Sequence, residues 1–426
     1  MADFGNGRQT HVSVQASTSI LVGVVGLFFI WGGITSLNDV LIPKLRDLFQ
    51  LNYAQAMLIQ FAFFTAYAVV SLPAGGLISR LGYGRGIVAG LSIMGIGCVL
   101  FVPAASLASY ALFLGGLFIL AGGITILQVA ANPLIANIGE PGSGHSRLTL
   151  AQAFNSLGTT LMPYIGAQLI LGDVAHASPA NLSAQQLMDF QAREAAVVGH
   201  GYLAIAGICF LVAAAFWFWR RALGQFSDGD SAASFSGSLA LLRSRPRLAF
   251  GVLGIFLYVG AEVTIGSVLV NYLMLPSTLG LSQRAAGEHL PYYWGGAMVG
   301  RFIGAVLLRR IRAGVLLSAV AMGAVCLVLS SAASQGALAA WALLAVGLMN
   351  AIMFPTIFSL AVENMGPDTP RASGLLCMAI VGGAVVPLFS GFVADASSLA
   401  VALTVPAACY LVIAAFGWSA RKPAQA

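Results

Sequence analysis

Trp31-Gly-Gly-Ile-Thr-Ser-Leu-Asn-Asp-Val-Leu-Ile-Pro43 closes an apolar run that opens with Ile20-Leu-Val-Gly-Val-Val-Gly-Leu-Phe-Phe-Ile30. The whole stretch is long enough to cross a bilayer core at about 1.5 Å of rise per residue. Its second half nevertheless carries Asn38 and Asp39 side by side, with Thr35 one helical turn earlier. A carboxylate at that depth costs about 2.5–3.5 kcal/mol even on the lenient insertion scale. Such a group is expected to face a wet cavity and to have a task there.

The rest of the chain points to lipid as its solvent. Of 426 residues, 59% are apolar and 8% charged, against about 25% charged in soluble proteins. The mean hydropathy is +0.90. No core could bury that much apolar surface, which excludes a soluble enzyme. The net charge of +6 reflects membrane topology rather than a nucleic-acid partner. Cys98, Cys209, Cys326, Cys377 and Cys409 all fall in apolar runs without a CxxC neighbour. They read as small buried hydrophobes, with neither disulfides nor a metal site expected. Residues 1–17 lack the basic segment and cleavage site of a signal peptide, so the first span is expected to remain as a membrane helix.

Twelve apolar runs have spanning length, at 19–43, 54–78, 86–102, 110–138, 148–171, 202–219, 248–275, 290–308, 314–332, 337–362, 374–394 and 399–418. With the N-terminus inside, the cytoplasmic segments collect fifteen of the 20 basic residues, and the outside receives Lys44, Arg46, Arg193 and Arg284. The asymmetry places both termini in the cytoplasm, in a multi-pass protein of the inner (cytoplasmic) membrane. A Ser-, Gly- and Arg-rich stretch at 220–247 reads as a linker between an N-terminal six-helix half, 1–219, and a C-terminal half, 248–426. The external segment 172–200 is polar and contains the sequon Asn181-Leu-Ser183, a motif that chance produces often.

An echo links the halves. Arg147, Gly158 and Pro163 recur as Arg371, Gly382 and Pro387 with the same internal spacings of 11 and 5. A weaker echo joins Gly75…Arg80 to Gly304…Arg309. Two six-span halves of parallel orientation resemble the layout of major facilitator superfamily transporters, which set a central site between the halves near mid-membrane. The expected fold is therefore an all-α membrane protein with the major facilitator superfamily fold, its 12 transmembrane helices in two six-helix halves around a central cavity. The Gly75–Arg80 segment also resembles that superfamily's loop signature, with Ser79 in place of the usual acid.

Only Asp39 and Glu262 lie deep in the spans; the other acids fall in loops, tails or helix ends. Desolvation brings a carboxylate toward reversible protonation at physiological pH. An acid whose protonation must change for the protein to reorient links proton flow to substrate flow. Asp39 is thus the expected proton carrier, with Glu262 second. Sodium is the rival coupling ion, since carboxylate and carbonyl oxygens also suit a hard cation. Arg301 is a candidate structural partner of Glu262, although its depth favours the cytoplasmic rim.

Amides and aromatics recur on single helix faces. Gln60, Phe64, Tyr67 and Ser71 share one face of the second span; Thr125, Gln128 and Asn132 one of the fourth; Gln152, Asn155 and Thr159 one of the fifth, with Tyr164 and Gln168 further along. The second half adds Asn271, Tyr292, Tyr293, Trp294, Asn350, Phe354 and Phe358. Amides exchange hydrogen bonds with hydroxyls and rings pack on a sugar's apolar faces, so the set suits a neutral hexose. The expected substrate-binding residues are Asn38, Gln60, Gln128, Gln152, Asn155, Asn271, Tyr293 and Asn350. Each amide has a plainer reading as an interhelical hydrogen bond worth about 0.6 kcal/mol.

At Leu37-Asn-Asp-Val-Leu-Ile-Pro43, Ala130-Ala-Asn-Pro133, Gly144-His-Ser-Arg147, Leu150-Ala-Gln-Ala-Phe-Asn-Ser156 and Phe354-Pro-Thr-Ile-Phe-Ser359 the sequence resembles the fucose–galactose–glucose:proton symporter family. The resemblance runs through nearly all the spans. It implies proton coupling at Asp39 and sugar contact at Gln152 and Asn155. Fucose-type members carry a glutamate just before Ala-Ala-Asn-Pro, where this chain has Gln128, which cannot titrate. Either Asp39 couples alone or Glu262 supplies a second carboxylate. The segment Gly123–Pro133 with Ser156-Leu-Gly-Thr-Thr160 resembles the glucose/galactose branch, which ranks those sugars above fucose.

The expected activity is proton-coupled import of a neutral hexose by a functional monomer in the lipid bilayer, without a cofactor. Sodium symport and passive uniport are the rival transport readings. An enzyme would need a nucleophile–base pair or a metal cluster, yet His11, His145, His176, His200 and His289 all lie in loops or at span edges. No HExxH or P-loop occurs, which argues against ATP-driven transport. A membrane sugar sensor would normally carry a soluble output domain, and the tails are too short for one.

Overall fold

The computed structural model describes residues 18–49, 53–107, 109–138, 143–166, 184–224 and 235–421. The side chains of residues 38–48, of Gln60 and of residues 163–195 lie outside that description, and with them the expected roles of Asn38, Asp39, Gln60, Tyr164, Gln168 and the sequon.

All regular elements among the described residues are helices: α1 (Thr18–Phe49), α2 (Tyr53–Val99), α3 (Phe101–Ser106), α4 (Tyr110–Asn137), α5 (Gly144–Gly166), α6 (Ala184–Gly224), α7 (Phe235–Ser244), α8 (Pro246–Met274) and α9 (Gln283–Gly287). Then follow α10 (Leu290–Leu307), α11 (Ala313–Ala333), α12 (Gly336–Asn350), α13 (Met353–Ala361), α14 (Thr369–Met378), α15 (Gly382–Ala396), α16 (Leu399–Ala402) and α17 (Thr404–Ser419). Hydrocarbon offers the backbone no partners, and a helix meets that requirement within one segment.

Nine segments among the described residues are long and apolar enough to cross a membrane. One of them, Phe61–Ser106, has 46 residues, more than twice the roughly 20 needed for one crossing. It folds back at Gly82, whose φ of 78° and ψ of 164° are open to glycine and costly for a residue with a Cβ. Two further expected spans, α5 and α10, miss that apolar criterion, and they are the helices that carry Gln152, Asn155 and Arg301. The set is consistent with twelve crossings.

The outer surface is apolar. Leu211 and Phe218 on α6 and Leu388 and Phe392 on α15 are exposed, as is Cys326 on α11, which faces outward instead of into the core as its composition suggested. At the ends of α6 and α17, Arg220 and Arg421 lie 4.0 Å from the ring centres of Trp217 and Trp418. A cation over an indole beside an apolar helix is a natural anchor at a lipid–water boundary.

The recurring glycines have a packing reason. A Cβ on Gly158 would come 2.1 Å from the carbonyl oxygen of Phe29, and one on Gly382 would come 2.0 Å from that of Phe256. Phe29 lies on α1 and Phe256 on α8, so in each case a glycine lets a helix cross the backbone of another at close range. Within the chain α1 packs on α5, α2 on α4 and α6, α8 on α15 and α17, and α11 on α12 and α17. Between these sets, α2 and α4 meet α14, while α5 meets α10 and α13. Polar contacts join them near one end: His145 shares a 2.6 Å hydrogen bond with Ser359, Ser146 donates to the Ala305 carbonyl at 2.6 Å, and Arg309 donates to Ser146 at 3.4 Å.

Adding one methyl at either crossing must push two backbones apart, a strain of about 1–3 kcal/mol. Gly158→Ala and Gly382→Ala are each expected to lower the thermal unfolding midpoint in detergent. Gly115→Ala, which meets nothing within 4 Å, is expected to leave it unchanged.

Candidate functional site

Two polar groups lie one on each side of the meeting of these helix sets, joined by Arg301. The first is built on α2, α4 and α5. Gln128 Nε2 donates to the Tyr67 hydroxyl at 2.5 Å, and both residues are buried. Gln152 Nε2 reaches Asn132 Oδ1 at 3.5 Å, the outer limit of such a bond. Asn155 Nδ2 donates to the Phe28 carbonyl at 3.0 Å. Asn132 is fully buried, and its Nδ2, like the Ser71 hydroxyl, has no hydrogen-bond partner among the described residues. A buried donor without an acceptor is costly unless a ligand supplies one.

The second group is built on α8, α10 and α12. Tyr258 and Glu262, four residues apart on α8, share one face, and the tyrosine hydroxyl donates to Glu262 Oε1 at 2.8 Å. The same hydroxyl lies 3.2 Å from the Asn350 carbonyl oxygen. Asn350 Nδ2 donates to the Tyr293 hydroxyl at 2.8 Å, which in turn donates to the Glu262 carbonyl at 3.3 Å. Tyr410 stands beside Asn350. Glu262, Tyr293 and Asn350 are thus drawn into one network. Asn271 is not: it is exposed, nine residues further along α8, or about 13 Å along the axis.

Backbone chemistry explains why this network forms where it does. The expected tenth span breaks after Asn350, where α12 ends, and resumes at Met353 as α13. Pro355 has no N–H for the carbonyl four residues back, that of Ala351. Arg301 Nε fills that place, donating to the Ala351 carbonyl at 3.2 Å. Pro133 in α4 likewise frees the Val129 carbonyl, and Ser373 of α14 donates to it at 2.9 Å.

Arg301 also ties the two groups together. Its Nη1 donates to the Gln152 carbonyl at 3.5 Å and to the Ser156 hydroxyl, both on α5. Its charge acts on Glu262 electrostatically, yet the bonds it makes are to neutral oxygens, so the direct ion pair considered from the sequence does not form in this conformation. Tyr258 and Arg301 therefore belong to the site beside the expected residues. The four-residue Tyr258–Glu262 spacing was the signal for the first, and a lone charge inside a span the signal for the second.

The arrangement offers hydrogen-bonding partners to a neutral, hydroxyl-rich molecule from amides and phenols, with one half-buried carboxylate and one half-buried guanidinium among the described side chains. The sequence profile of the Major Facilitator Superfamily matches residues 23–380. The glucose/galactose transporter of Brucella abortus biovar 1 (strain 9-941) is 50% identical over 418 residues, which is 98% of this chain and 98% of that one. The L-fucose-proton symporter of Escherichia coli (strain K12) is 38% identical over 397 residues, 92% of this chain and 90% of the other. A crystal structure of a Major Facilitator Superfamily transporter, FucP, in the outward conformation superposes with a TM-score of 0.88 at 36% identity, covering 95% of this chain and 99% of that one.

The Tyr293–Asn350 bond is testable by a double-mutant cycle with Tyr293→Phe and Asn350→Leu. Denaturation in mixed detergent should show a coupling of about 0.6 kcal/mol and no more than about 1.7, the range for polar pairs inside membrane proteins. A coupling of zero would mean that the two side chains do not interact.

Proposed function

The chain belongs to the Major Facilitator Superfamily, and on that premise we propose that it imports a neutral hexose, glucose or galactose before fucose, by proton symport with alternating access. The observation that carries this reading is the 50% identity to a glucose/galactose transporter along essentially the whole of both chains. The amide- and phenol-lined groups support it, because neither presents a cluster of fixed charge for an ionic substrate. Two six-helix halves, 1–219 and 248–426, rock about the linker 220–247 in the inner membrane, with both termini in the cytoplasm. The protein works as a monomer and needs no cofactor beyond its coupling ion.

Each expected residue takes a role in this reading. Asp39 carries the coupling proton, and Glu262 is a second titrating carboxylate that compensates for an amide at Gln128. Gln152 and Asn155 from one half and Asn350 and Tyr293 from the other contact the sugar's hydroxyls. Asn38, Gln60, Gln128 and Asn271 line the path. Support for the proton comes from the name of the fucose-proton symporter, 38% identical. Sodium remains the competing ion.

Purified protein in proteoliposomes, given a hexose panel under an imposed proton or sodium gradient, tests the assignment. Glucose or galactose should accumulate with the proton gradient alone, and accumulation with sodium alone would move the assignment to sodium symport. Asp39→Asn should abolish accumulation while sparing sugar exchange, because a permanently neutral residue permits reorientation but carries no proton. Normal accumulation by that variant would remove Asp39 from the coupling step. Glu262→Gln should show the smaller defect.

A further inference from the structure

Arg301 has a hydrogen-bonding position that no expectation from the sequence assigned. It lies on α10, inside a span, and its bonds go to neutral acceptors on two different helix sets: Ala351 behind it, and Gln152 and Ser156 of α5 ahead of it. Glu262, the carboxylate within its electrostatic reach, is held instead by Tyr258. A cation and an anion kept apart in a low-dielectric interior are each left without their counter-charge, a costly arrangement when both are ionised. Protonation of the carboxyl group removes the anion's share of that cost, and the neutral oxygens of Ala351, Gln152 and Ser156 solvate the guanidinium.

We propose that Arg301 is a positioning residue that reports the protonation of Glu262 to α5. With the proton on Glu262, the guanidinium has no anion to pair with and bonds to Gln152 and Ser156, holding α5 against α10. When Glu262 gives up the proton to water, its carboxylate draws the guanidinium back along α10. The α5 acceptors are released, and the two helices separate. The pair carries one positive charge with the proton on Glu262 and none once that proton has left to water, so the proton accounts for the whole difference. Pro355 makes the switch possible, since the bond to the Ala351 carbonyl keeps the guanidinium anchored throughout. The groups that face Glu262 are Tyr258 on its own helix, Tyr293 on α10, Tyr410 on α17 and Arg301 itself. The inference rests on the transport reading above and adds the step by which a proton moves a helix contact.

Arg301→Gln leaves Glu262 without its counter-charge. It should lower the thermal midpoint in detergent and cut radiolabelled glucose or galactose exchange in proteoliposomes roughly ten-fold or more, the penalty of an orphaned buried charge. Glu262→Gln combined with Arg301→Gln removes both charges. It should restore the midpoint and bring exchange back to within about three-fold of Glu262→Gln alone, a difference under roughly 1 kcal/mol. Arg301→Lys keeps the charge and should fall between wild type and Arg301→Gln. If the double variant is as impaired as Arg301→Gln, Arg301 merely props α5, and if Arg301→Gln behaves as wild type it does not do even that; either result overturns the inference. Absence of exchange by the wild-type protein would instead overturn the transport reading, while the midpoints still decide whether the two charges are linked.

Discussion

Pro355 has no N–H for the carbonyl of Ala351, and lipid has none to lend. That single missing donor organises the second half of the bundle. The helix breaks after Asn350, and Arg301 comes in from α10 to supply the bond. Once there, the guanidinium has donors to spare, and it spends them on α5. A backbone defect in one helix has thereby become a polar link between helix sets. The first half repeats the device more simply, with Pro133 freeing the Val129 carbonyl for Ser373. Proline-interrupted helices in transporters place their freed groups where protein or water can satisfy them, and here the protein does so, from a neighbouring helix of the same set at Ala351 and from the facing set at Val129.

The polar contacts between the sets are individually weak, as the alternating access proposed above would need. Single hydrogen bonds within membranes contribute about 0.6 kcal/mol each, so a few of them at the His145, Ser146 and Ser373 positions can hold one end closed without locking it. The closest of the glycine crossings lie inside each set. At Gly158 and Gly382, helices cross so closely that a methyl group would collide with a carbonyl oxygen. Rigid sets joined by breakable contacts suit rocking about a central site better than continuous deformation.

Much of this was legible in the residues. Apolar run lengths located the helices because the bilayer's thickness imposes them, and the Arg147–Gly158–Pro163 echo marked a close crossing that recurs in both halves. Glu262, Tyr293 and Asn350 were picked out as isolated polar groups in apolar helices, and they share a network. Asn271 obeyed the same rule and stands apart, because a helical face repeats every turn and the pattern does not say how far along the axis a site extends. The second and third spans read as separate elements, and the chain turns between them at Gly82, whose φ of 78° and ψ of 164° are not helical. Arg301 was visible only as an oddity of charge, since its bonds depend on which backbone carbonyls a distant proline frees. Asp39, the residue from which the reading began, has a backbone place on α1 and a side chain outside the described set.

The proposed cycle carries a hexose and a proton across together. De-energised cells producing the protein, suspended in lightly buffered medium and given glucose or galactose, test that directly through the external pH. Symport predicts a prompt rise in pH on sugar addition, absent with a sugar the protein does not carry and abolished by a protonophore. Uptake of the same sugar with no change in external pH, or uptake that requires sodium, would contradict it.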